Sequence, residues 1–285
     1  IKFLTFALRI KLMEKKKILY ISQEIAPFLP KSELANTARK LPQVIQEAGK
    51  EIRVFMPRFG VINERRHQLH EVIRLSGLNI SIDDQDHPLI IKVASVSAAR
   101  MQVYFIDNDE YFRRKHTLTD ENSKEFKDND ERSMFFCRGV LETVKKLGWQ
   151  PDVIHCHGYM TGVMGLYLKE MYNKDPHFKE TKVVYSLYND GFKTNWDKRF
   201  SEKLKLDGFN DTVCDQFKDT SFLNYSKNIL KFFDGVNLSS REVDVELKEI
   251  YDNLSTHKLD FVEEEHFAKE LSEFYDKVIQ EPALA

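Results

Sequence analysis

The order of elements along the chain predicts an α/β fold, a parallel sheet with helices on its faces and a β-meander inserted into it. Three observations carry this. Between Ile18 and Met56 an apolar run, a helical stripe and a second apolar run follow one another, the alternation from which parallel sheets are built. Between His70 and Asp107 the pattern changes to several short β-rich runs broken by Gly77 and His87-Pro88, as in a meander. From Asp130 onward helix and strand alternate again, so parallel βα units are expected on either side of the insertion.

Each element has its own signal. Ile18-Leu19-Tyr20-Ile21 is a short buried-type strand behind a lysine cluster. Residues 33–48 place Leu34, Ala38, Leu41 and Ile45 at helical spacing, and Gly49 closes that helix. Ile52-Arg53-Val54-Phe55-Met56 is the second strand, ended by Pro57. Residues 72–75, 89–93 and 103–106 are the β-rich runs of the meander. Residues 130–147 form a helix with Met134, Phe135, Val140, Leu141 and Val144 on one face and Gly148 as its stop. Residues 151–155 begin the next strand, 162–172 are helical and 183–187 are again a buried-type strand. Residues 223–233 lead into a last strand and helix, 235–238 and 243–251, where the sheet is expected to be complete. The tail 264–279 aligns Phe267, Leu271, Phe274, Tyr275 and Val278 on one stripe, predicting a helix that docks back on the domain. The expected organisation is an extension over 1–12, a Rossmann-like domain over 13–255, and the docking segment over 256–285.

Composition excludes several functions. With 42% hydrophobic residues among 285, the chain can build one sizeable core, and disorder is not expected. Lys and Arg (43) nearly balance Asp and Glu (45), so no field of one sign recruits nucleic acid or an acidic membrane surface. Cys137, Cys156 and Cys214 are too scattered for a disulfide framework or a CxxC metal site, which suits a reducing, cytoplasmic setting. The apolar stretch from Ile1 to Leu12 is broken by Lys2, Arg9 and Lys11, is followed by no small-residue cleavage site, and is too short to span a bilayer. Met13-Glu14-Lys15 reads like a start, which makes the residues before it an upstream extension.

In open α/β sheets ligands bind beyond the carboxyl ends of the strands, so the loops after Ile21, Met56, Ile106, Ile154 and Leu187 are where function is sought. The first glycine in the chain is Gly49, which excludes a glycine-rich phosphate cradle after the first strand. His155-Cys156-His157-Gly158-Tyr159 puts two histidines at a strand end with a glycine behind them. Two readings stand for each imidazole, a ligand contact or a core histidine satisfied by its neighbours; a pair alone is too few for a metal. Apolar flanks make Cys156 an inert buried thiol rather than a nucleophile. Asp107-Asn108-Asp109-Glu110-Tyr111-Phe112 offers paired acceptors and an aromatic ring suited to sugar hydroxyls, or else solvated loop carboxylates. Asp128-Asn129-Asp130-Glu131-Arg132 reads as a helix cap with an acidic first turn, which accounts for Asp128 or Asn129 better than for Arg132.

Taken together, these segments resemble the N-terminal domain of bacterial glycogen and starch synthases, retaining glucosyltransferases of glycosyltransferase family five. The residues that carry the resemblance are Ser22-Gln23-Glu24-Ile25-Ala26-Pro27-Phe28, Val54-Phe55-Met56-Pro57-Arg58-Phe59-Gly60, Val103-Tyr104-Phe105-Ile106-Asp107-Asn108 with Tyr111-Phe112, Asp128-Asn129 with Glu131-Arg132, Leu147-Gly148-Trp149-Gln150-Pro151-Asp152-Val153-Ile154-His155, and Thr161-Gly162. The resemblance implies the N-terminal half of a two-domain GT-B glycosyltransferase, with α-glucan held on this half and most of the ADP- or UDP-glucose on a second domain that the sequence is not expected to contain. It nominates His157 and Asp107 as catalytic, and Glu24, Lys31, Tyr111, Asn129, Arg132, His155, Tyr159 and Asn189 as substrate-binding, with no metal and no cofactor. The family's Lys-Thr-Gly-Gly-Leu aligns with Pro30-Lys31-Ser32-Glu33-Leu34, its lysine reaching Lys31 by a one-residue shift. Its His-Ala-His-Asp-Trp-His-Thr becomes His155-Cys156-His157-Gly158-Tyr159-Met160-Thr161. The implied functions are glucosyl transfer completed by a partner subunit or a second copy, or, alternatively, non-catalytic glucan binding or regulation in glycogen metabolism.

Overall fold

The computed structural model describes residues 15–30 and 32–280; Lys31 and the expected extension over 1–12 lie outside the described residues. The strands are β1 (Lys17–Ser22), β2 (Glu51–Pro57), β3 (His70–Glu71), β4 (Leu78–Ile82), β5 (Gln85–Val96), β6 (Met101–Asp107), β7 (Val153–His157), β8 (Lys182–Leu187), β9 (Gly235–Leu238) and β10 (His257–Leu259). They form one sheet in the order β10-β9-β8-β7-β1-β2-β6-β5-β3, with β4 paired to β5. From β10 to β6 every pairing is parallel, and β5 pairs antiparallel with β6, β3 and β4. The fold is therefore a Rossmann-like parallel sheet carrying a meander. β1 lies between β2 and β7, with Tyr20 beside Val54 and His155. Its run Ile18-Leu19-Tyr20-Ile21 is fully buried, as a strand covered on both faces must be.

The helices are α1 (Glu33–Glu47), α2 (Glu64–His67), α3 (Asp109–Phe112), α4 (Asn129–Lys146), α5 (Val163–Glu170), α6 (Phe200–Asp207), α7 (Asp211–Asp215), α8 (Phe222–Ile229), α9 (Val245–Asp252) and α10 (Phe267–Gln280). The Ser32 hydroxyl caps α1 by accepting from the Ala35 amide at 2.9 Å, which satisfies one of the donors a helix start leaves unpaired. α10 packs against α1 and buries Leu271, Phe274, Tyr275 and Val278. Gly235 on β9 makes this close approach possible, since a Cβ there would meet Phe274 at 2.8 Å and Val278 at 2.9 Å.

Two details depart from the sequence reading. The sheet does not end at β9, because His257–Leu259 adds β10 from within the segment assigned to the docking tail. Residues 72–75 turn, with Leu75 N bonded to Val72 O, and the alternating Leu78–Ile82 forms β4 in their place. No helix among the described residues is long and apolar enough to cross a membrane.

Candidate functional site

The parallel strands β1, β2, β6, β7, β8 and β9 end on one edge, and the loops leaving them build the site. Gln23, just past β1, ties two neighbouring strand ends to its own. Its backbone amide donates to His157 O (3.1 Å), its Oε1 accepts from Met160 N (3.1 Å), and its Nε2 donates to Asp190 Oδ2 (3.3 Å). Gly158 makes room for it: its φ is +87°, and a Cβ there would lie 2.4 Å from the Gln23 side chain. The glycine behind the two histidines thus admits Gln23. Gly158→Ala combines a backbone conformation unfavourable for L-residues with that clash, so it is expected to cost about 2–3 kcal/mol in urea unfolding; a loss below about 0.5 kcal/mol would contradict the fit.

Both predicted histidines are covered. His155 Nδ1 lies 2.7 Å from Tyr275 OH, and its Nε2 lies 2.8 Å from Ser186 Oγ and 3.1 Å from Asn237 Oδ1. Tyr275 OH in turn meets Tyr20 OH at 3.0 Å. This network joins β1, β7, β8, β9 and α10 beneath the edge, and burial pushes the His155 imidazole down to about 3, keeping it neutral. His157 Nδ1 bonds Tyr188 OH at 2.8 Å, while its Nε2 has no partner among the described residues and is sealed from solvent. Burial, then the neighbouring His155, holds His157 well below the usual imidazole range.

Asp107, the other predicted catalytic residue, is 1% exposed. Its Oδ2 is shared by Arg58 Nε (2.9 Å) and Lys92 Nζ (3.1 Å), and both cations also reach Glu64. A four-membered ion cluster thus engages Asp107 through Oδ2, leaving Oδ1 without a partner among the described residues, and a hydrogen-bonded core network engages His155. Tyr111 is buried as well, its hydroxyl placed between His87 Nε2 (3.0 Å) and Glu131 (3.1 Å). Asn129 and Arg132 are also internal. Arg132 donates to Asn129 Oδ1 and to Thr117 O, both at 2.7 Å, and its guanidinium sits 5.3–5.4 Å from the rings of Phe59, Phe112 and Phe126. Burial lowers it to about 10. Asn129 Nδ2 donates to Leu118 O at 2.9 Å. The pair therefore holds the loop through Thr117 and Leu118.

That loop forms one wall of a cleft of about 490 Å³ at the strand ends, lined by Glu24, Phe28, Ser32, Lys115, His116 and Thr119 among others. Glu24 is half-buried and accepts from Ser32 Oγ at 2.6 Å. Tyr159 turns its ring inward onto Phe192 and Trp196. Asn189 is exposed, its amide donating to Ser240 Oγ and its Oδ1 accepting from Asp244 N. At the start of α1, Ser240 Oγ donates to Glu33 Oε2, so a carboxylate of the chain itself sits where a helix N-terminus favours an anion. Asp190 lies beside Glu24, and burial followed by the charge of Glu24 pushes its carboxyl up to about 6. A larger groove of about 860 Å³ runs between α8 and α9, away from the strand ends and without any predicted site residue. Among the described residues no three His, Cys, Asp or Glu side chains converge to hold a metal.

Gln23 and Asp190 were not singled out in the sequence. The available signal was Gly158, whose lack of a side chain requires some neighbour to approach.

A family model described as the starch synthase catalytic domain matches residues 17–261. The glycogen synthase of Chlorobium limicola is 40% identical over 174 residues, 61% of this chain and 36% of that protein. The glycogen synthase of Chlorobaculum tepidum is 37% identical over 202 residues, 67% of this chain and 41% of that protein. The chain thus spans well under half the length of these relatives. The catalytic domain of starch synthase IV from Arabidopsis thaliana, bound to ADP and acarbose, superposes with a TM-score of 0.71 at 16% identity, over 87% of this chain and 52% of that one. That likeness is one of fold. On the family match over most of its length, the chain belongs to the starch synthase catalytic domain family of glycosyltransferases.

Proposed function

We propose that this chain supplies the α-glucan-binding half of a glycogen-synthase-type assembly, and that its own residues do not carry glucosyl transfer from ADP- or UDP-glucose. The observation that carries this is Glu33, bonded to Ser240 at the start of α1. A diphosphate brought to this edge meets Glu33, Glu24 and Asp190, and like charges a few ångströms apart repel by about 1–4 kcal/mol. A neutral polyol meets the same carboxylates as hydrogen-bond acceptors. The Arabidopsis structure holds both ADP and acarbose; the chemistry of the present edge suits the hydroxyl-rich ligand of the two. His157, nominated as catalytic, supports the same reading, because its free nitrogen is sealed from solvent. In this proposal it orients the β7 end through Gln23, and Glu24 and Asn189 are the nominated residues left to meet glucan. A donor site for transfer would come from a partner subunit or a second copy of the chain. Three buried free cysteines fit a reducing cytoplasm.

Calorimetric titration tests the reading. Maltoheptaose is expected to bind with a Kd of roughly a millimolar or tighter, and ADP-glucose and UDP-glucose are expected to give no saturable heat. Radiolabel transferred from either donor to glycogen by the purified chain would overturn it.

A further inference from the structure

We infer that Asp190 is the hydroxyl-binding acid of this edge and that Gln23 is the residue that positions it, an assignment that rests on the glucan reading above. Asp190 sits in the loop after β8. Its Oδ2 is anchored from two other strand ends, accepting from Gln23 Nε2 at 3.3 Å and from the Tyr159 amide at 3.4 Å. Its Oδ1 takes no hydrogen bond from the described residues and is not among their solvent-sealed atoms. Asp190 is half-buried, with one oxygen anchored and the other left without a protein partner, the arrangement a carboxyl needs to take a sugar hydroxyl in a defined direction.

Gln23 is held well enough to define that direction. It is almost fully buried. Its backbone amide donates to His157 O, its Oε1 accepts from Met160 N, and its Cγ and carboxamide fill the space that Gly158 leaves empty. Removing its amide would free Asp190 to swing, because the Tyr159 contact alone does not fix the carboxyl plane.

The surroundings set when the acid carries charge. The titratable groups around Asp190 are Glu24 from the β1 loop, Tyr159 from the β7 loop, Tyr185 and Tyr188 on the β8 side and Tyr225 on α8. Of these only Glu24 is a carboxyl group, and its interaction works against ionisation of Asp190. Asp190 accordingly changes between a neutral acid and a carboxylate near pH 6. A carboxylate accepts hydroxyl hydrogen bonds about twice as strongly as a neutral group does, so glucan binding tightens as the pH rises through this transition.

The test is maltoheptaose calorimetry on the full chain between about pH 5 and about pH 7.5. Wild-type affinity is expected to rise about three- to tenfold across this range. Asp190→Asn keeps the shape and both anchoring bonds but cannot ionise, so its affinity stays flat with pH. Asp190→Ala loses about tenfold at the upper pH. Gln23→Met keeps the volume, loses the side-chain amide with both its donor and its acceptor, and shifts the midpoint of the binding profile upward, because the lost donor had favoured the carboxylate. Each variant is checked for cooperative thermal unfolding, and Gln23→Glu, which retains the acceptor for Met160 N and places a like charge at Asp190, provides a second variant with the same upward shift. A merely structural role for either residue would leave the pH profile unmoved. No binding by the wild type would overturn the glucan reading and this assignment with it. Wild-type binding whose pH slope survives in Asp190→Asn would overturn this assignment alone.

Discussion

Replacing Lys203 with methionine is expected to lower the unfolding free energy by about 3–5 kcal/mol, the cost of stranding buried carboxylates without their cation. Lys203 on α6 is 1% exposed, and its ammonium reaches Asp130 at 2.8 Å, Glu131 at 2.7 Å and Asp197 at 3.0 Å. Burial opposes its charge, but the three carboxylates overcome this and raise it above the ordinary lysine value. The cluster fastens α6 to the first turn of α4 and to the loop through Asp197. It continues through Glu131 to Tyr111, His87 and Glu110 on the meander side, so its loss loosens both walls of the strand-end site.

The loss has a pH signature. Burial outweighs the pull of Lys203 and lifts Asp130 from 3.8 to about 6, so the folded state binds its proton more readily than the unfolded state does. Such a group costs stability as the pH rises through the folded value. Without Lys203 the Asp130 value climbs further, and the deficit at about pH 8 exceeds the deficit at about pH 5 by about 1 kcal/mol or more. Urea unfolding at the two pH values reads this directly, and a small, pH-independent deficit would contradict the account.

Truncating Tyr275 to alanine is expected to cost about 4–5 kcal/mol, a buried aromatic ring together with its hydrogen bonds. The ring is fully buried on α10, and its hydroxyl joins His155 Nδ1 to Tyr20 OH. Tyr275→Phe separates the two contributions. It keeps the packing, leaves His155 and Tyr20 each short of one partner, and is expected to cost about 1–2 kcal/mol. If both variants lost the same amount, packing of the ring would not be what holds α10 to the sheet.

The fold was legible where hydrophobic period was strong. β1, α1, α4 and α10 each carry an uninterrupted apolar run or stripe, and all are in place. β10 was not legible, because three residues, His257, Lys258 and Leu259, give no period to read; they pair only because β9 presents an open edge. α6 and α7 are short and charged; α6 is held by Phe200 and Leu204 in the core and by the buried Lys203, and lysine is a residue type almost never fully buried unless paired. The site was half legible. Residue types pointed to the strand-end edge, but nothing local shows whether a polar side chain is already engaged. Asp107 is taken by Arg58 from the β2 loop and Lys92 from β5, and His155 by Tyr275, 120 residues away in sequence. Gln23 and Asp190 went unseen for the same reason, since they are brought together by the parallel order of β1, β7 and β8.

In the proposed function this edge takes glucan and refuses the nucleotide sugar. The test is titration of the chain with maltoheptaose, alone and then with ADP-glucose or UDP-glucose present in excess. One saturable glucan isotherm is expected, its Kd unchanged by either nucleotide sugar. A saturable isotherm for a nucleotide sugar, with none for maltoheptaose, would contradict it.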